Sequence, residues 1–288
     1  MYRCLFFVLL FTVTAFANVL AANSSVQTFN CGTTISEEEI ESTGLVFHRK
    51  MAERAGMREL AAHAATISVY FHVVSEDDTV AGGNVSESQI LDQISVLNSD
   101  FGETGVSFTL TEIGRTVNIN WFTNAGPSSS LQTAMKQSLR QGDATTLNVY
   151  TVGFDRAADQ GLLGYTTFSS SYSSNPDDYG VVMRFTTLPG GSQTNYNGGQ
   201  VITHETGHWV GLYHTFRDGC SGSGDMVNDT PAEAEPASGY PEGRDTCSSP
   251  GVDPIHNYMD YAYNSCMEEF TPGQITRLTD QIATYRGL

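Results

Sequence analysis

The sequence predicts an α+β domain with a twisted, mixed five-stranded sheet, followed by a loop-rich, disulfide-bonded C-terminal subdomain. Through the first two thirds of the chain, five stretches rich in β-branched and aromatic residues are interleaved with stretches of helical periodicity. After about residue 212 the chain becomes irregular and carries six of the nine prolines and three of the five cysteines. We therefore expect two subdomains, at 66–211 and 212–288.

Five strands are predicted in the first subdomain. The stretch at 67–74 is filled with β-branched and aromatic residues, as a buried strand is, and 106–113 alternates apolar with polar residues. Short runs of the same kind predict the other three strands, at 147–152, 161–168 and 180–188.

Helices are predicted where apolar residues recur every three or four positions. A Ser-Glu-Ser-Gln capping sequence at 86–89 opens such a pattern and predicts a helix at 86–100. An Ala-, Arg- and Glu-rich stretch at 50–65 is also typical of a helix, with a polar surface. The remaining helices are predicted at 131–140, from Gly198 or Gly199 onward, and at 271–285.

The first residues are typical of a signal peptide for secretion. A weakly positive start is followed by an apolar run too short to span a membrane, and then by small-residue cleavage patterns near 17–21. We therefore expect residues 1–21 to be removed and the protein to be extracellular, with candidate glycan acceptors at Asn23 and Asn84. Residues 22–65 are either an ordered N-terminal extension or a removable pro-segment, and the sequence leaves both open.

Acidic residues outnumber basic ones by 32 to 14, which gives a formal net charge of -18. Nucleic acids and anionic membrane surfaces both need a basic face on their partners, so neither is expected to bind this protein. We attribute the acidity to solubility, and calcium binding by some of the carboxylates is a second interpretation.

Four cysteines remain after the predicted signal peptide: Cys31, Cys220, Cys247 and Cys266. In an oxidising compartment an even number favours disulfides, but four cysteines allow three different pairings. A cysteine in a pro-segment can instead bind a metal ion. The residues alone do not choose among these arrangements.

Three of the seven histidines lie within the stretch VITHETGHWVGLYHTF at 201–216. On a helix, His204 and His208 differ by about 40° in azimuth and about 6 Å in rise, so both rings can reach one ion. Gly211 can adopt the positive φ that ends a helix, which would turn His214 toward the same ion. Three neutral imidazoles and one open position describe a catalytic zinc site, and chance explains the spacing HExxHxxGxxH poorly.

Glu205 lies next to His204, where its carboxylate can reach a water molecule on the ion without being a ligand. Zinc lowers the pKa of a bound water from near 16 toward about 7. Glu205 would then take the proton and pass it to the leaving amine. The sequence contains no GxSxG element, and this chemistry needs no covalent nucleophile.

Two motifs resemble those of a known clan. HETGHWVGLYH at 204–214 resembles the zinc signature of the metzincins, and NYMDY at 257–261 resembles their methionine turn. With GDMVNDTP at 224–231 and NYMDYAYNSCMEEFTPGQ at 257–274, the chain is similar to the pappalysin-type secreted metalloproteases, including extracellular fungal members. The likeness covers about 66–288, and it implies a metzincin-like zincin fold.

The resemblance also implies roles for single residues. Met259 would form the floor of the site rather than be an ordinary core methionine, and Tyr261 would stabilise the oxyanion or be a buried structural tyrosine. Asp225 and Thr230 would hold calcium, or belong to a solvated acidic turn. The edge strand at 161–168 would pair with the substrate backbone. The zinc ligands would be His204, His208 and His214, with Glu205 as the general base.

The chain departs from the family pattern at two places. Asn264 stands where relatives that favour a basic side chain after the cleaved bond carry aspartate, so we do not expect that preference here. Relatives with two C-terminal disulfides have a further cysteine near 239–240, which is absent. The resemblance leaves Cys220–Cys247 as a pair and Cys266 without its usual partner.

Cys31 is open to two roles that exclude each other. It is the cysteine left to pair with Cys266, and Cys31-Gly32 also resembles the segment that places a thiolate on zinc in some proenzymes of the family. The even number of cysteines favours the Cys31–Cys266 disulfide.

We predict a secreted, monomeric zinc endopeptidase that acts on protein or peptide substrates. Two other classes of protein share the motif: a catalytically silent binding protein, and a zinc hydrolase of a non-protein amide. A silent protein is expected to have lost Glu205 or one of the three histidines, and all four residues are present.

Overall fold

The computed structural model describes residues 28–55 and 65–288. The predicted signal peptide, its cleavage site and Asn23 lie outside these residues. In chain order the elements are α1 (Glu37–Ala55), β1 (Ala65–Ser75), α2 (Glu87–Asp100), β2 (Val106–Val117), α3 (Ile119–Asn124), α4 (Ser130–Leu139), β3 (Thr146–Val152), β4 (Gly164–Tyr165), β5 (Val181–Arg184), α5 (Gln200–Trp209) and α6 (Pro272–Tyr285). Within the described ranges no helix is both long and apolar enough to cross a membrane.

The five strands form one mixed sheet in the order β2-β1-β3-β5-β4. The first four strands in this order are parallel, and β4 runs antiparallel to β5. Parallel strands need crossover connections. Helix α2 connects β1 to β2, and α3 with α4 connect β2 to β3, which lies on the other side of β1. The predicted α+β class and five-stranded mixed sheet are confirmed.

The two faces of the sheet bury different helices. On one face, α2 packs against β2, and α5 packs against α2, β5 and β4, within one apolar cluster that includes Leu97, Ile202 and Val69. On the other face, α3 and α4 cover a smaller apolar cluster that includes Phe122 and Met135. The helix that carries the histidine motif is therefore held against β5 and the edge strand β4.

Two predicted helices begin at the caps that the sequence indicates. The Ser86 side chain accepts a hydrogen bond at the start of α2. Thr271 and Gln274 form a reciprocal capping box at the start of α6. Each cap satisfies backbone N–H groups that the first helical turn leaves unpaired.

Several elements differ from the prediction in extent. Helix α1 begins at Glu37, well before the predicted stretch at 50–65, of which 56–64 lie outside the described residues. Phe47, near its middle, stacks on Tyr285 at the far end of the chain. Strand β4 has two residues, and β5 ends at Arg184, where a 3-10 turn begins. Helix α3 was missed because six residues are too few to show a helical period.

Asn84, a candidate glycan acceptor, is half-buried in the loop before α2. Its side-chain amide donates a hydrogen bond to the backbone oxygen of Asp78, 3.0 Å away. A glycan on this nitrogen would displace that hydrogen bond.

The C-terminal subdomain is irregular between α5 and α6, as predicted. The disulfide between Cys220 and Cys247 closes a loop with a sequence separation of 27, and its Cα atoms are 5.3 Å apart. Loop-closure entropy makes a bridge of this length worth about 3 to 4 kcal/mol. The predicted Cys220–Cys247 pair is confirmed.

A buried polar network also joins the loops of this subdomain. Arg244 donates to Glu233 over 2.9 Å and to Asp253 over 2.8 Å. Asp260 is a third buried carboxyl group in the network, so one guanidinium faces three carboxyl groups. Burial, and then the charge of Asp260, raises the pKa of Glu233. The folded protein therefore binds a proton here more tightly than the unfolded chain does.

We expect Glu233→Gln to flatten the pH dependence of stability. In the wild type, the free energy of unfolding falls as pH rises above the unfolded-state pKa of about 4, because the folded state has the higher pKa. Denaturant unfolding of both proteins between about pH 5 and about pH 8 measures this slope. Glu235→Gln is the control, since Glu235 lies near the same guanidinium but is 78% exposed. Equal slopes in wild type and Glu233→Gln would contradict the assignment.

Candidate metal centre

Helix α5 and the turn after it bring three histidines to one point. Gly199 precedes the helix with φ 100° and Gly211 follows it with φ 96°, both in the left-handed region that favours glycine. The predicted turn at Gly211 is confirmed. The Nε2 atoms of His204, His208 and His214 lie 2.9 to 3.2 Å from one another.

Backbone carbonyls fix the orientation of two of these rings. Nδ1 of His204 lies 2.7 Å from the oxygen of Tyr258, and Nδ1 of His208 lies 2.8 Å from the oxygen of Leu212. A carbonyl oxygen only accepts, so each Nδ1 carries the proton and each Nε2 presents its lone pair to the shared point. Burial lowers the pKa of all three imidazoles, which keeps them neutral.

The donor set fits zinc. Tetrahedral zinc with bonds of about 2.0 to 2.1 Å places its ligand nitrogens about 3.3 Å apart. The three Nε2 atoms are arranged with nearly this spacing. Neutral imidazoles that present lone pairs to one point are also the form in which histidine binds a metal.

The segment before α1 lies along the free edge of β4. The backbone N–H of Leu163 donates to the oxygen of Asn30, and the N–H of Gly32 donates to the oxygen of Gly164, each over 2.9 Å. Cys31 and Gly164 form a parallel bridge. These contacts carry Cys31 into the metal centre.

The expected Cys31–Cys266 disulfide is wrong, because both residues are buried free thiols. The ligand atoms of Cys31 and the three histidines all lie within 4.8 Å of one another. Cys266 instead lies in the C-terminal subdomain, where its thiol is 3.3 Å from the oxygen of Ile255. Backbone hydrogen bonds to β4 determine where Cys31 lies. An even number of cysteines carries no information about those hydrogen bonds.

Glu205 is fully buried between the histidines and β4. A Cβ atom at position 164 of β4 would lie 2.9 Å from Cγ of Glu205, so only glycine fits at Gly164. The Oε2 atom of Glu205 accepts hydrogen bonds from Thr33 Oγ1 over 3.0 Å and from Cys31 Sγ over 3.5 Å. Burial outweighs these bonds and raises the pKa of Glu205 to about 8.

Met259 and Tyr261 both lie at the centre. A side chain at Gly207 on α5 would collide with the sulfur of Met259, so the methionine packs directly beneath the helix. The Tyr261 hydroxyl lies 3.4 Å from Nε2 of His214 and donates to the backbone oxygen of Cys31 over 3.5 Å. Burial raises the pKa of Tyr261, so its hydroxyl is a hydrogen-bond donor.

Asp225 and Thr230 interact with each other in the loop that follows the histidine motif. Asp225 is 3% exposed, so a solvated acidic turn does not describe it. Burial raises its pKa to about 6, and the nearby Thr230 hydroxyl and the backbone N–H of Val227 oppose that rise. Asn264, also buried, accepts a hydrogen bond from the backbone N–H of Gly198 over 2.9 Å.

Thr33 is the site residue that the sequence did not reveal. Its hydroxyl donates to Glu205, and it also accepts from the backbone N–H of Thr166 over 2.9 Å. The one available signal was its position two residues after Cys31, on the same side of an extended segment.

Comparison with known proteins decides the family. A family model described as peptidase M43, pregnancy-associated plasma protein-A, matches residues 156–283. An extracellular metalloprotease from Sordaria macrospora is 45% identical over 272 residues, which cover 92% of each chain. The chain belongs to the M43 peptidase family. A second relative of this M43 protein, named an extracellular metalloprotease from Colletotrichum graminicola, is 44% identical over 284 residues, 95% of this chain and 97% of its own.

Solved structures agree with the family. The M43 protein resembles a promirolysin variant from Tannerella forsythia with a TM-score of 0.68 and 25% identity, over 88% of this chain and 94% of that one. It resembles mature mirolysin in complex with a cleaved peptide with a TM-score of 0.63 and 27% identity, over 78% and 98%. The predicted metzincin-like fold is confirmed, and the M43 protein is a metalloprotease.

Proposed function

We propose that this M43 protein is a secreted zinc endopeptidase that is made as a latent precursor. The convergence of three Nε2 atoms within 3.2 Å, next to Glu205, carries the proposal. Secretion is supported by the signal-peptide pattern at 1–21 and by relatives that are named extracellular. The substrates would be proteins or peptides cleaved within the chain.

His204, His208 and His214 would hold the zinc ion. Bound there, zinc would lower the pKa of a water molecule and polarise the scissile carbonyl. The protein orients the ligands: the carbonyls of Tyr258 and Leu212 fix two rings, and Met259 supports α5 from below.

Glu205 would be the general base and then the general acid. Its carboxylate lies between the histidines and β4, where it would accept a proton from the attacking water and donate it to the leaving amine. The free edge of β4 would pair with the substrate backbone. The Tyr261 hydroxyl, released from the oxygen of Cys31, would donate to the oxyanion.

Residues 22–65 would be a pro-segment that is removed on activation. Residues 30–33 occupy the edge of β4 and Cys31 occupies the metal centre, so a substrate cannot bind while they remain. The precursor of mirolysin covers 88% of this chain, whereas mature mirolysin covers 78%. Residues 66–288 make up 223 of the 288 residues, which is close to the share of this chain that mature mirolysin covers.

The loop that contains Asp225 and Thr230 would bind calcium. Calcium prefers oxygen ligands in irregular loops. The Asp225 carboxyl group is buried with its pKa raised, so a bound cation would favour its charged form.

Digestion of a peptide library by the processed protein, followed by mass spectrometry, tests the proposed activity. We expect internal cleavage, which a zinc-binding chelator such as phenanthroline abolishes and added zinc restores. Calcium added to the calcium-free protein should raise its melting temperature through the Asp225 loop and leave the zinc content unchanged. Cleavage that persists after zinc has been removed would contradict the proposal.

A further inference from the structure

Arg217 lies at the mouth of the cleft, three residues after His214. Its Nη2 atom is 2.5 Å from Oε2 of Glu37, the first residue of α1. Both side chains line a cavity of about 260 Å³ that extends to His208 and His214. The guanidinium therefore faces the same cavity as the metal centre.

The metalloprotease domain itself holds Arg217 in place. Its Nη1 atom donates to the backbone oxygen of Gly224 over 2.5 Å and lies 3.4 Å from the carboxylate of Asp218. The guanidinium also lies over the ring of Tyr213, 5.7 Å from its centre. None of these partners belongs to the pro-segment, so Arg217 keeps its position when Glu37 leaves.

The carboxylate on Nη2, in contrast, comes from the pro-segment. The Glu37 side chain is 74% exposed and that of Arg217 is 13% exposed, so the contact lies where a ligand can enter from solvent. Once the Glu37 carboxylate has left, the partly desolvated guanidinium can form a charge-assisted hydrogen bond again by binding the carboxylate of a ligand. The chain as a whole has a net charge of -18, so Arg217 is not part of a generally basic surface.

We propose that Arg217 determines specificity by binding an acidic side chain of the substrate. This inference rests on the proposed endopeptidase function and on departure of the pro-segment. Cys31 lies at the metal centre and Glu37 lies six residues further on, at Arg217. The acidic residue of the substrate would therefore lie on one side of the scissile bond, a few residues away from it.

The test uses the processed enzyme and paired peptides that carry Glu or Gln at each of five positions on either side of the cleaved bond. The wild type should cleave the Glu peptide with a kcat/KM about threefold to tenfold higher at one or two positions on one side, as one partly exposed ion pair allows. Arg217→Gln should cleave both peptides at the rate of the wild type on the Gln peptide. Arg115→Gln, on the opposite edge strand β2, is the matched control and should keep the preference.

Charge reversal and salt provide independent readouts. Arg217→Glu should prefer Lys over Gln at the same position, and added salt should reduce the wild-type preference. A wild type that cleaves Glu and Gln peptides equally at every position overturns the role of Arg217, even if a variant fails to fold, and leaves the endopeptidase function intact. A preference for Glu that survives in Arg217→Gln also overturns it. A wild type that cleaves none of the peptides overturns the proposed function as well.

Discussion

Glu205→Gln is expected to lower kcat of the processed enzyme by about 10²- to 10⁴-fold, the usual contribution of a general acid and base. Glutamine keeps the shape of the side chain but cannot take the proton of the attacking water. Glu205 is not among the four residues whose ligand atoms surround the metal position, so zinc should stay bound. Turnover of a peptide substrate and elemental analysis of the purified protein measure the two quantities.

The control for this substitution is Glu103→Gln, which makes the same change at an exposed residue in the turn before β2. It should have wild-type kcat and zinc content. The processed form is needed because, while the proposed pro-segment is in place, Cys31 occupies the metal centre and Thr33 donates to Glu205. Wild-type turnover in Glu205→Gln would show that another group moves the proton, whereas loss of zinc would show that Glu205 supports the ligands.

The metal centre could be predicted because its residues are close in the sequence. His204, Glu205 and His208 lie on one helix, whose geometry alone fixes their separation. Gly211 has the positive φ that the spacing required, and this turn brings His214 to the other two histidines. The caps of α2 and α6 were likewise encoded within a few residues.

The surroundings of the centre could not be predicted, because they depend on contacts between distant segments. Thr33 and Glu205 are 172 residues apart, and Glu37 and Arg217 are 180 residues apart. Hydrophobic periodicity reports on the next turn of a helix or strand and carries no information about such pairs.

Strand β4 shows the same limit. The apolar pattern at 161–168 predicted a longer strand, but only Gly164–Tyr165 pair with β5. Phe168 is buried by the rings of Tyr213 and His208 instead. An apolar residue is buried equally well by a loop, so burial alone did not identify a strand.

Cys31→Ala is expected to raise the activity of the unprocessed protein about tenfold or more, because it removes the thiol from the metal centre. A tenfold rise in activity corresponds to a loss of about 1.4 kcal/mol from the free energy of inhibition. A bond between the metal and a thiolate can supply more than this. Activation should be partial, since the hydrogen bonds of residues 30–33 to β4 and the stacking of Phe47 on Tyr285 remain. Peptide turnover before any processing measures the effect.

Cys266→Ala is the matched control, because it removes the other free thiol at a site outside the metal centre. It should leave the unprocessed protein as inactive as the wild type. Cobalt in place of zinc gives a second readout: a thiolate-to-cobalt charge-transfer band should be present in the wild type and in Cys266→Ala, and absent from Cys31→Ala. If Cys31 and Cys266 formed a disulfide, both variants would instead lose the same bridge and show the same change in activity and stability. Different behaviour of the two variants therefore supports inhibition by the Cys31 thiol, and identical behaviour contradicts it.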